Sequence, residues 1–456
     1  MNAATTRITH LLAAALVTVP LWMAPPAHAV SPPRVDEKWL PAATSPAPPQ
    51  PTVQRDVCTA ATSVSGRDDA SAQLADLQLP QLWQLTRGAG QRVAVIDTGV
   101  ARHRRLPHLV GGGDYVSTGD GTLDCDAHGT VVAGIIAAAP DSSADGFSGI
   151  APEATVISIR QSSTKFAPLA DRAGAGVGDV DTMAQAVRTA ADLGASVINI
   201  SSVACVPAAP LLDDRALGAA LAYAVEVKNA VVVAAAGNAD DGAQCPAQRS
   251  DVSRDTVTVA VSPAWYDDYV LTVGSVNRAG APSSFTLAGP WVDVAATGEE
   301  VTSLSPIGNG IVNSLDGQHG SAPLSGTSFA APVVSGLVAL LRARFPALTA
   351  RQVMQRITAT AHHPPAGWNP LVGNGTVDAL AALSTDATPP EPTTNPDTAA
   401  GPLTTPASPA PADRHGRNTA LAGTAMGLVA LMAIAGSFPV IRPRLRRSGR
   451  DGVVGD

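Results

Sequence analysis

RVAVIDTG, residues 92–99, decides the architecture of this chain. Val93, Ala94, Val95 and Ile96 are apolar at consecutive positions, not alternate ones. A run with no polar face is covered on both sides, which is the setting of a strand inside a parallel sheet. The run stops at Asp97-Thr98-Gly99, so a carboxylate stands at the carboxyl end of the strand. Similar runs follow at 155–159, 196–200 (SVINI) and 230–234 (AVVVA). Between them, 181–193 and 214–227 carry apolar residues at i, i+3, i+4 spacing and read as helices. This alternation predicts an α/β fold, a three-layer α/β/α domain with a central, mainly parallel sheet. Sites in such sheets gather beyond the carboxyl ends of the strands.

Three more segments fall at such ends. His128-Gly129-Thr130 opens a helical stretch of small and apolar residues, 131–139. Asn238 closes the run AAAGN, 234–238. Ser328 lies in GTSFAAP, 326–332, directly ahead of the apolar helix 333–341. Pro332 is tolerated there because first-turn N–H groups lack intrahelical partners. Taken singly, a His before Gly, a Ser ahead of a helix and an Asn after Ala-Gly are turn and cap formers. With Asp97 they supply the parts of nucleophilic acyl transfer. A serine hydroxyl needs an imidazole to take its proton, and a buried carboxylate to orient that imidazole and stabilise its charge. An amide donor and a helix N-terminus suit the developing oxyanion. The chain order Asp, His, Ser is the subtilisin order. Asp-Thr-Gly also occurs in aspartic proteases, which need two such motifs, and this chain has one.

VAVIDTG (93–99), HGT (128–130), VINIS (197–201), AAAGN (234–238) and SGTSFAAP (325–332) resemble motifs of subtilisin-like serine proteases. The resemblance implies that Asp97 orients, His128 is base and acid, Ser328 is the nucleophile and Asn238 donates to the oxyanion. Longer stretches resemble the mycosins, membrane-anchored subtilases of actinobacterial type VII secretion systems. These are LWQLTRGAGQRVAVIDTGV, GDGTLDCDAHGTVVAGI, DYVLTVGSV, FTLAGPWVDVAATG and RARFPALTARQVMQRITATA. That likeness covers nearly the whole chain. It implies a serine endopeptidase, with no cofactor, cleaving proteins exported by a type VII system. As the alternative, it implies a structural component stabilising the secretion membrane complex. A general surface-degrading subtilase is a third reading, which broad cleavage of casein-like chains would favour. One departure is that Ser202-Val203-Ala204-Cys205 replaces the usual Leu-Gly-Gly type of substrate-binding strand, so backbone recognition of peptide is expected to differ.

The rest of the 456 residues frames this domain. Residues 1–29 hold Arg7, an apolar run at 11–23 and Ala27-His28-Ala29, the layout of a secretory signal peptide. Residues 30–57 contain seven prolines and read as an extended arm bracing the domain. The peptidase domain is 58–384. Residues 385–418, with eight prolines, form a stiff linker. Residues 419–441 are 23 in a row without a charge; as a helix they reach roughly 34 Å, enough to span a bilayer. Arg442, Arg444, Arg446, Arg447 and Arg450 in the basic tail 442–456 place that end in the cytoplasm. The expected location is the plasma membrane, single-pass, with the peptidase domain outside. An apolar content of 45% excludes global disorder. A net charge of −8 argues against nucleic acid as a partner.

Four cysteines in an exported chain suggest two disulfides, with three possible pairings. Cys205 follows the strand end at 199–201, and Cys245 follows Asn238. Loops leaving neighbouring strand ends meet, so Cys205–Cys245 is expected, which leaves Cys58 with Cys125; the mycosin resemblance implies the same pairing. Asp120, Asp124 and Asp126, like Asp240 and Asp241, lack the ligand spacing of a calcium loop. They read as solvated turns, with no metal. Loops 161–180 and 242–263 are the candidates to cover the cleft.

Overall fold

In the computed structural model, Arg92–Asp97 forms β1, with Val93 to Asp97 all buried. The structure describes residues 30–61, 72–141, 143, 145–174, 176–208, 212–239, 245–317 and 320–384. The expected leader, linker, membrane span and basic tail lie outside the described residues, among which no helix is long and apolar enough to cross a membrane. Six further strands join β1: β2 (Leu109–Asp114), β3 (Thr155–Arg160), β4 (Val197–Ile200), β5 (Val231–Ala235), β6 (Val270–Val276) and β7 (Val294–Thr297). All pair in parallel, in the order β7-β6-β5-β4-β1-β3-β2. The chain builds outward to both sides of β1, so the order reverses beside Asp97, where ligand crevices open in such sheets.

Helices cover both faces. α1 (His128–Ala137) is buried from Gly129 to its end. α4 (Thr327–Arg344) is buried at Thr327 and throughout Phe329–Leu341. The two pack together, and Gly336 lets α4 approach the segment that follows α1: a Cβ there would lie 2.7 Å from Ile150 Cβ. α2 (Val180–Asp192) and α3 (Arg215–Ala222) form the other layer. α2 buries one stripe, and Asp179 and Thr182 exchange side-chain and backbone bonds in a capping box at its start. The expected helix over 214–227 is split: after Ala222 the backbone widens into a π turn, Tyr223–Val227.

The Pro-rich arm lies along this unit. Val30 N–H donates to Arg254 O (3.1 Å), and the Trp39 ring stacks under the Arg215 guanidinium at 3.8 Å. Pro46 occupies the space a side chain on Gly113 would fill. Thr52–Gln54 pairs antiparallel with Phe166–Pro168. Cys58 is bonded to Cys125 (S–S 2.03 Å), and Cys205 to Cys245.

Candidate active site

β1 delivers Asp97 to the centre of the sheet's carboxyl edge, 1% exposed. Thr98 N–H donates to its Oδ1 at 2.7 Å. Its Oδ2 is buried and accepts no hydrogen bond among the described residues. Ala127 adopts a left-handed conformation, φ 73°, and turns the chain into α1, whose first residue is His128. Glycine is required next: a Cβ on Gly129 would stand 2.0 Å from Gly99 O. That close approach brings His128 Nδ1 to 2.7 Å from Asp97 Oδ1.

His128 Nε2 lies 2.9 Å from Ser328 Oγ. A carboxylate only accepts, so Nδ1 carries the hydrogen and Nε2 of the neutral ring faces the hydroxyl as an acceptor. Burial opposes charging the ring. The Asp97 charge and hydrogen bond, with the charges of Asp124 and Asp126, outweigh it and raise the His128 pKa above its usual value. The ring packs against Phe329, centroids 5.0 Å apart, and stays 28% exposed to the cleft.

Ser328 is the second residue of α4, where free N–H groups and the helix dipole favour negative charge. Its backbone is tied to β4. Ser335 Oγ donates to Asn199 Oδ1 (2.8 Å), Asn199 Nδ2 to Ser201 Oγ (2.9 Å), and Ser201 Oγ to Ser328 O (2.9 Å). Asn238, just beyond β5, accepts at Oδ1 from Thr327 N and Thr327 Oγ1, both 2.9 Å. Both bonds fix its amide, and Nδ2 is left as a donor beside Ser328 Oγ. A Cβ built on Gly326 would lie 3.3 Å from that Nδ2 and 3.1 Å from Ser328 Oγ.

These residues open onto a cleft of about 670 Å³. Both loops singled out as covers contribute to its walls, through Gln161 to Thr164 and Gly176 to Val180, and through Cys245, Ser262 and Pro263. Beyond Ser201, the second half of the departing segment Ser202–Cys205 enters a strand, Ala204–Pro207, that pairs antiparallel with Val259–Ser262. The acidic loop ahead of His128 is no solvated turn. Asp124 is 9% exposed and accepts from Thr98, Ala127 and Thr130. Asp126 accepts from Ser163 Oγ, Thr164 N and Thr164 Oγ1. Asp120 alone of the three is exposed, paired with Arg102. Asp240 and Asp241 lie outside the described residues. Among the described residues, no cluster of three or more His, Cys, Asp or Glu is arranged to hold a metal ion.

Sequence reasoning missed the residues that mount this site. Thr327 and Ser201 sat inside motifs already recognised, so adjacency was a usable signal. Ser335, two turns into an apolar helix, gave none.

Residues 88–375 match the Subtilase family (Peptidase_S8). The chain is 69% identical over 452 residues to Mycosin-4 of Mycobacterium tuberculosis, an alignment covering 98% of each. The structure of MycP3 protease from the type VII (ESX-3) secretion system superposes with a TM-score of 0.73 at 47% identity, covering 78% of this chain and 100% of that one. A chain of an intact ESX-5 inner membrane complex gives 0.74 at 42% identity, covering 90% and 99%.

Proposed function

The chain belongs to the subtilase family of serine proteases and, within it, to the mycosins, and on that premise we propose that it is a membrane-anchored endopeptidase acting on proteins exported by a type VII secretion system. The observation that carries this reading is the imidazole of His128 within hydrogen-bond reach of Asp97 on one side and Ser328 on the other. Ser328 Oγ attacks the scissile carbonyl as its proton passes to His128 Nε2. Asp97 steadies the imidazolium, and Asn238 Nδ2 with the N-terminal amides of α4 receives the oxyanion. The imidazolium returns the proton to the leaving amine, and water repeats the sequence to release the acyl group. No step requires a cofactor.

Ser328→Ala tests the assignment. Fluorophosphonate should label the detergent-solubilised wild-type chain and not the variant. Equal labelling, or cleavage of an exported protein by the variant, would remove Ser328 from the role.

The ESX-5 membrane-complex relative favours a second, compatible role as a component of such a complex, anchored through residues 419–441. Secretion would then survive Ser328→Ala but fail on deletion of the gene. Equal loss in both would count against it.

A further inference from the structure

A second carboxylate stands behind the dyad. Asp124 lies four residues ahead of His128 and takes four donors. Thr98 Oγ1 (2.9 Å) and Ala127 N (2.8 Å) meet its Oδ1; Thr130 N (2.8 Å) and Thr130 Oγ1 (2.6 Å) meet its Oδ2. Among the described residues it forms no ion pair. Each partner belongs to the mounting of the dyad. Ala127 and Thr130 bracket His128. Thr98 follows Asp97, gives its N–H to Asp97 Oδ1, and accepts at Oγ1 from Gly129 N (3.0 Å).

We infer that Asp124 is a positioning residue for acyl transfer: ionised, it locks the strand end bearing Asp97 to the helix start bearing His128. This rests on the triad reading above. Only a carboxylate satisfies four donors at once. A protonated acid or an amide turns a hydrogen toward one of them. The two backbone donors cannot rotate away, so a threonine hydroxyl must. When the Thr98 hydroxyl hydrogen turns, the lone pair of Oγ1 that accepts from the Gly129 amide is redirected, and that bond weakens.

The site is poised for such a change. Burial, outweighing the bonds from Thr130 and Thr98 and helped by the Asp97 charge, raises the Asp124 carboxyl to about 6. The charged or titratable groups around it are Asp97 at the end of β1, His128 on α1 and Asp126 on its own loop, with the exposed Arg102–Asp120 pair beyond.

The test is the second-order rate of fluorophosphonate inactivation of the detergent-solubilised full chain between pH 5 and 9. In the wild type, the logarithm of the rate should rise with pH at a slope near one below the His128 pKa. Below pH of about 6 that slope should steepen toward two. Asp124→Asn should abolish the steepening and lower the plateau by tenfold or more. Thr98→Ala, which leaves the carboxylate its other three donors, should keep the steepening and lower the plateau less. Wild-type rates and slopes in Asp124→Asn would overturn the inference; if that variant does not fold, a wild-type rate in Thr98→Ala would do so. A readout independent of reaction is the low-field Nδ1–H resonance of His128. It should shift or broaden in either variant, and an unchanged resonance refutes the positioning role. Failure of every form, wild type included, to react would instead refute the triad reading, with the resonance still deciding for or against Asp124.

Discussion

Removing the Cys58–Cys125 bond by Cys58→Ala with Cys125→Ala should destabilise the fold far more than it slows the chemistry. The bond closes a loop of 67 residues. In the chain-entropy treatment, opening a loop of that length returns about 4.4 kcal/mol of freedom to the unfolded chain at 25 °C. At about 2.1 cal/mol/K of unfolding entropy per residue, a unit of roughly 350 residues loses about 6 °C in Tm for that cost. The chemistry is shielded because Cys125 sits between Asp124 and Asp126, whose hydrogen bonds hold the loop on their own. Calorimetry of wild type and double variant, both without reductant, gives the first quantity; fluorophosphonate labelling gives the second. A Tm change under about 1 °C would refute the loop-entropy argument. A labelling rate reduced more than about tenfold would refute the independence of the loop, and place the bond's main effect in the native state.

Three further outcomes are expected. Ser201→Ala strands the buried Asn199 amide and releases the Ser328 carbonyl, costing about 1–3 kcal/mol in denaturant unfolding; a cost near zero would mean the network is slack. Asp126→Asn removes one of the charges that raise the His128 pKa, so the acid limb of the inactivation profile should move to lower pH, and an unmoved limb would contradict the electrostatic account. Asp293, half-buried and with its carboxylate accepting from Thr272 N, has that carboxyl pushed up to about 8 by desolvation. The folded state therefore holds the proton more tightly than the unfolded one, and stability falls as pH rises from about 4 to about 8. Asp293→Asn should gain on wild type across that window by up to about 1.4 kcal/mol per pH unit, and a pH-independent difference would reject the assignment.

What the sequence made legible was local. β1, β4 and β5 announce themselves because a doubly covered strand is apolar at consecutive positions, Asn199 in β4 being the exception, and Asp97 and Asn238 are readable because they stand where apolar runs stop. His128 and Ser328 open helices of small residues, a composition that follows from burial on all sides. The acidic loop misled because charge pattern alone says nothing about long-range donors. Thr98 and Thr130 convert Asp124 from a surface group into a buried one, and Ser163 and Thr164 reach Asp126 from a loop nearly forty residues away. The antiparallel pairing of Ala204–Pro207 with Val259–Ser262 was equally hidden, since neither short segment specifies its partner. The split after Ala222 has no counterpart in the apolar spacing, which continues through it.

The arm has a consequence for lifetime. Thr52–Gln54 cannot pair until Phe166–Pro168 is in place, and Val30 waits for Arg254. Contacts of such sequence separation carry a large closure cost and form late in folding. Interactions missing from the folding transition state slow unfolding without hastening folding. Where an unfolded excursion exposes a chain to proteolysis it does not survive, the arm acts less as ballast on the equilibrium than as a latch on the rate of escape.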